Sequence, residues 1–156
     1  MAPKRWREYR RLRLEALRSD PDAFSSTYVE TERFPDDFWR RRLADPDVIF
    51  RFAERAGRLV GMAGALCDQN PVTIVSVYVA PAERGTGLGK RLLTAVLGAI
   101  AARPGLDAVR LWVSETQPAA IALYGALGFL PVDREIAAVV TVNGVYDELI
   151  MAKRLR

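Results

Sequence analysis

The sequence predicts an α/β fold: a mixed, mostly antiparallel sheet with one central parallel pair and helices on both faces. Three observations predict it. Apolar, β-branched segments follow one another closely at 48–54, 59–67 and 72–79, which is the pattern of an antiparallel meander. A helical-period segment from Leu88 to about Arg103 then separates the third of these from another short apolar strand at 108–113. A crossover of that length joins parallel neighbours, so 72–79 and 108–113 are expected side by side as a βαβ unit.

The remaining elements follow in order. Trp6, Tyr9, Leu12, Ala16 and Leu17 recur at three- and four-residue spacings opposite Arg7, Arg11, Glu15 and Arg18, so residues 4–18 read as an amphipathic helix. Arg13 falls inside the apolar arc, and a buried guanidinium must be paired, so an acidic or carbonyl partner is expected for it. Ser19-Asp-Pro-Asp breaks the helix, and residues 22–35, with Phe24, Tyr28 and Phe34 among Ser, Thr and Glu, read as a loop or broken helix. Asp36 is expected to cap a short helix to about Ala44. Ala56-Gly57-Arg58 joins the first two strands as a hairpin, and Pro104-Gly105 ends the helix that begins at Leu88. A helix from Pro118 to about Leu127 stops at Gly128, a C-terminal cap position. Strands from Phe129 and from Val145 to Ala152 complete the sheet, with Asn143-Gly144 read as the two-residue turn between them. No repeat or linker interrupts the chain, so 1–156 reads as one domain.

Composition narrows the chemistry. Half of the 156 residues are apolar, enough for a core without metals or disulfides. With no histidine and one cysteine, Cys67, the chain has no Ser-His-Asp triad, Cys/His metal site or internal disulfide, leaving carboxylates, tyrosine, backbone groups or a cofactor. Cys67 lies in an apolar strand and reads as core rather than nucleophile. The net charge of +4 comes largely from arginine, much of it in the opening helix, and reads as a solvated face rather than a nucleic-acid patch. No apolar run approaches the roughly 20 residues of a membrane span, and the opening residues carry no apolar signal core. A cytoplasmic protein without membrane, nucleic-acid or metal partners is therefore expected.

The most informative segment is Arg84, Gly85, Thr86, Gly87, Leu88, Gly89 and Lys90, set between a strand and a helix. Glycines let a backbone approach an anion, successive N–H groups converge on it, and the helix dipole assists, so the turn suits a diphosphate. Spacing separates the kinds of glycine-rich loop. A nucleotide P-loop needs Gly where Arg84 stands and Ser or Thr after the Lys, where this chain has Arg91. The dinucleotide fingerprint needs a third Gly where Lys90 stands. What remains is Arg-x-x-Gly-x-Gly, met by Arg84, Gly87 and Gly89.

With that motif, with Val77-Tyr-Val-Ala-Pro-Ala-Glu-Arg before it and with Leu111-Trp-Val and Ala120-Ile-Ala-Leu-Tyr124-Gly-Ala-Leu-Gly-Phe129 after it, the chain resembles the GNAT superfamily of acyl-CoA N-acyltransferases. Arg11-Leu-Arg-Leu-Glu-Ala-Leu and Asp147-Glu-Leu-Ile-Met extend the resemblance over nearly the whole chain. It implies that the parallel pair splays at a β-bulge, with Val77 and Val79 offering backbone groups to the pantetheine arm of acetyl-CoA and the glycine turn holding the pyrophosphate. A backbone N–H near Val79 would polarise the thioester carbonyl, and an amine would attack directly. Tyr124 stands where the superfamily commonly places the acid that serves the coenzyme sulfur. Gln117 stands where it usually has Asn touching the pantetheine. The strand glutamate that many relatives use as base is missing, since 72–79 offers only Thr73 and Ser76; Glu115, Glu30 and Glu32 remain candidates, beside an ordered water chain. The resemblance implies acetyl transfer to a primary amine. The short, mixed acceptor region around Tyr28, Glu30, Glu32 and Phe34 favours a small molecule over a protein N-terminus or lysine. A silent acyl-CoA-binding module and a homodimer also lie within what it implies.

Overall fold

The computed structural model describes residues 1–24 and 26–155. Helix α1, Trp6–Ser19, follows a 3-10 turn at Pro3–Arg5 and is itself followed by another at Pro21–Ala23. Two short helices come next, α2 at Tyr28–Glu32 and α3 at Asp36–Ala44, so the segment expected as loop or broken helix is a turn plus a five-residue helix. Asp36 is the first residue of α3 rather than its cap: Pro35 occupies the cap position, and its fixed φ starts the helix without a side-chain bond.

Strands β1 (Val48–Arg55), β2 (Arg58–Leu66) and β3 (Val72–Val79) form the expected meander. Helix α4, Leu88–Ala101, crosses over to β4, Ala108–Ser114, which pairs parallel with β3. After α5, Pro118–Ala126, the chain returns through β5, Leu130–Thr141, and β6, Gly144–Arg154. The sheet order is β1-β2-β3-β4-β6-β5, so β6 separates β4 from the edge strand β5. Gly128 does end α5, with its N–H bonded to Gly125 O and that of Phe129 to Tyr124 O. The last hairpin turns at Val142 and Asn143 instead of Asn143-Gly144, because Thr141 and Gly144 face each other across the ladder. The turn is set by side chains: the Thr141 hydroxyl accepts from the Asn143 N–H, and Asp22 accepts from both Thr141 Oγ1 and Asn143 Nδ2.

The sheet divides two cores. Leu93, Val96 and Ile100 of α4 pack with Leu111, Phe129 and Met151 on one face. Tyr9 and Leu12 of α1 pack with Trp39, Phe50, Met62 and Tyr78 on the other. Each such apolar side chain stabilises the fold by roughly 1.5–3 kcal/mol relative to exposure. Arg13 lies at the edge of the second core, and the partner expected for it is absent: its guanidinium stacks on Phe24 at 4.7 Å, and Nη1 has no hydrogen-bond partner among the described residues. Burial pulls its pKa down, and the aromatic face replaces the acid.

Candidate active site

β3 and β4 pair only at Val72 with Val109 and Thr73 with Arg110, although both strands continue beyond that point. The cause is local. Between Gly64 and Met62 of β2 the ladder steps two residues while β3 steps from Val75 to Tyr78, leaving one extra residue in β3, and Ser76 sits at φ +56. Past this bulge the two strands part, and a cavity of about 410 Å³ lies between them. Ile74 to Val79 form one wall, Leu111, Trp112 and Val113 the opposite one, with Gln117 and, from α5, Ala120, Leu123 and Tyr124 along the base.

The glycine turn closes one end. Gly85 and Gly87 adopt φ of +79 and +82, the left-handed region that any side chain would strain. Gly87 immediately precedes α4, whose first-turn N–H groups on Leu88, Gly89 and Lys90 have no acceptor within the helix, so the helix presents free donors and its positive dipole end toward the cavity that these residues line. Gly89 gives close approach: a Cβ there would stand 3.2 Å from Leu123 Cδ2. Lys90 is exposed and lines the cavity. Arg84 behaves differently. Its Nε donates to Val79 O at 2.9 Å and its Nη2 to Asp20 at 2.5 Å, so the guanidinium ties the turn to the end of β3 and to the residue after α1. Thr86 also acts within the turn, its hydroxyl donating to Glu83 O, and it does not line the cavity.

Tyr124 lines the cavity from α5, is 6 % exposed and packs edge-on against Phe129, and its hydroxyl makes no hydrogen bond among the described residues. Burial pushes its pKa up, so it remains a phenol and a hydrogen-bond donor at neutral pH. Gln117, the residue before α5, also lines the cavity and donates to Thr116 Oγ1 through Nε2. The carboxylates named from sequence lie elsewhere. Glu115 is exposed and accepts from Arg134 at 3.1 Å, while Glu30 and Glu32 are exposed on α2; none lines the cavity. Tyr28 is held by Arg18, which stacks on its ring at 4.6 Å and donates to its hydroxyl. Cys67 is buried just past β2, where burial raises its thiol pKa, as a core residue requires.

The sequence reading assigned no role to Asp20, Phe24 or Trp112, which all line the cavity. Trp112 stood inside a quoted motif, and its position on a strand beside an expected splay was the available signal. Its Nε1 donates to Glu135 Oε2 at 3.0 Å, a contact that crosses β6 and depends on strand order.

Comparison with known proteins adds three findings. The model of the acetyltransferase (GNAT) family matches residues 8–129. A mycothiol acetyltransferase of Thermobispora bispora is 40 % identical over 125 residues, covering 76 % of this chain and 40 % of the relative; an N-alpha-acetyltransferase, RimI, of Mycobacterium tuberculosis is 35 % identical over 106 residues, 65 % of each chain. The chain thus spans about two fifths of the length of that mycothiol acetyltransferase. Among solved structures, yncA of Salmonella typhimurium with its cofactor acetyl-CoA shares the fold, with a TM-score of 0.80 at 21 % identity over 100 % of this chain and 91 % of that one.

Proposed function

This chain belongs to the acetyltransferase (GNAT) family, and we propose on that premise that it moves an acetyl group from acetyl-CoA directly to a primary amine of a small molecule. The observation that carries the reading is one cavity with free helix N–H donors at one end and a buried, unpartnered phenol at its base.

Each residue has a part that physical chemistry supports. The N–H groups of Leu88, Gly89 and Lys90, with the Lys90 ammonium, suit the coenzyme's pyrophosphate. The bulged edge around Val77 and Val79 suits the pantetheine amides, which bind as an added strand would, and the Gln117 amide reaches the same arm. The thioester supplies an activated acetyl group. A backbone N–H near Val79 stabilises the oxyanion formed on attack, a kind of contact worth about 10²–10³ in rate. Tyr124 donates a hydrogen bond to the departing sulfur. Arg84 serves by holding the turn in shape, since its donors are engaged by Val79 O and Asp20.

A second reading, acetylation of a protein α-amine, is favoured by the likeness to the N-alpha-acetyltransferase, which this chain matches over 65 % of that relative's length. Thiol release from acetyl-CoA across a panel of alkylamines, amino sugars and short peptides separates the two. Turnover with small amines alone supports the first reading, and turnover confined to free peptide N-termini supports the second. Stabilisation of the protein by acetyl-CoA without thiol release from any acceptor would identify a silent acyl-CoA-binding module.

A further inference from the structure

We propose that Glu148, in β6, is the base that takes a proton from the acceptor amine, and that Glu135, beside it in β5, holds the amine's positive charge as it enters. The assignment rests on the acetyl-transfer reading above and places the base two strands away from β3, whose side chains include no carboxylate.

Strand alternation fixes where Glu148 points. Leu149 and Met151 pack into the core beneath α4, so Glu148 and Ile150 belong to the opposite face of β6. Ser114, Glu148 and Glu135 are paired in register across β4, β6 and β5, and directly opposed side chains have Cβ atoms about 4.5–5.5 Å apart. One pair along, Trp112 faces Ile150, and its indole reaches over β6 to bond Glu135. Glu135 and Glu148 lie beyond the cavity wall; Trp112 lines it, and its bond to Glu135 joins the carboxylate pair to the space in which Tyr124 presents its unpartnered hydroxyl from α5.

Two opposed glutamates repel each other unless a cation lies between them. Neither has a cationic partner among the described residues. Arg134 is engaged by Glu115 and Asp147, and Arg110, on the same face as Trp112, stacks on the Trp112 ring and reaches toward Gln69. Of the other titratable groups on this side, Tyr146 of β6, Asp133 of β5 and Asp22 of the overlying turn bring no positive charge, and Arg154, paired with Ala108, stands six residues along β6 from Glu148. Burial first, and then Glu135, raise the pKa of Glu148, making it a better proton acceptor than a surface glutamate. An ammonium group satisfies both carboxylates and carries the proton that one of them must take.

The step balances. An alkylammonium gives one proton to Glu148, and the freed lone pair forms the C–N bond. The C–S bond breaks with its electron pair left on sulfur. Sulfur takes the Tyr124 proton, Tyr124 recovers one from the nitrogen of the collapsing intermediate, and Glu148 releases its proton to solvent.

Glu148→Gln tests the assignment. With an alkylamine acceptor, kcat/KM should fall about 10²–10⁴-fold, while the KM for acetyl-CoA stays unchanged and the thermal midpoint rises. With an arylamine, already unprotonated at neutral pH, the loss should be many times smaller. Glu135→Gln should raise the acceptor KM more than it lowers kcat. Glu148→Asp retains the carboxylate and should recover about ten-fold or more over Gln. Wild-type rates in Glu148→Gln, an equal loss for both acceptor types, or no recovery in Glu148→Asp would each overturn the proposal while leaving acetyl transfer intact. A wild-type protein that binds acetyl-CoA but releases no thiol with any amine overturns the acetyl-transfer reading itself.

Discussion

The donor half of the cavity and the acceptor half are built differently. The donor half is backbone: left-handed glycines, free N–H groups at the start of α4, and a bulge that parts two strands. The half proposed for the acceptor is side chains brought from distant segments, with Phe24 after α1 and Trp112 on β4 lining the cavity and the glutamates of β5 and β6 beyond Trp112. A backbone site accommodates a cofactor common to many proteins, because its donors do not depend on which side chains surround them. A side-chain site changes with single substitutions, so in the proposed reaction selectivity for one amine would reside there. Arg84 joins the halves, with one nitrogen on Val79 O and another on Asp20.

Four experiments press on this contrast. Tyr124→Phe removes a donor from the base of the donor half, and its expected effect is the largest: a fall in kcat of about 10²-fold or more with coenzyme affinity nearly unchanged in a calorimetric titration. An equal loss of affinity would make Tyr124 a packing residue. Away from the cavity, Gly64→Ala places a Cβ 2.7 Å from Phe50 Cε1, inside the core beneath α1. Overpacking of this kind costs about 1–3 kcal/mol, read as a lower denaturation midpoint. Gly87→Ala meets no atom within 4 Å but forces a side chain into φ +82, costing roughly 1–2 kcal/mol. That variant should weaken acetyl-CoA binding and leave the KM ratios among amines as in wild type; altered amine selectivity would break the division between the halves.

The smallest effect lies outside both. Bonds from the Ala137 N–H and Arg134 hold the Asp147 carboxyl below its usual pKa. Its stabilising contribution is therefore present above the unfolded value near 3.9 and is lost as pH falls through the lower folded value. Asp147→Asn should accordingly narrow the difference in thermal midpoint between pH 5 and pH 2, with little change in amine turnover.

The same contrast explains what could be read from the sequence. The meander, the crossover and the glycine turn are local: periodicity marked β1 to β4, and the spacing of Arg84, Gly87 and Gly89 separated the turn from nucleotide loops. Glu135 and Glu148 were not legible as neighbours, because they are 13 residues apart in a hairpin whose register shifts between Glu135 and Val139. The sequence places Arg13 on an apolar arc, but that Phe24 would cover it depends on how the chain turns after Ser19. The final turn shifted by one residue because Asp22, over a hundred positions away, binds Thr141 and Asn143.

The extra residue at Ser76 also sets the parity of β3. Val72 and Ile74, at even positions, face the α4 core; beyond Ser76 that core receives the odd positions, Val77 and Val79, while Tyr78 enters the core of α1. The bulge thus takes up one residue without exchanging the contents of the two hydrophobic interiors. Drawn into regular alternation with Ser76 in place, the strand would point Tyr78 at Leu92 and Leu88 and turn both valines toward Leu12 and Trp39, so the bulge is as constrained as the composition of the strand.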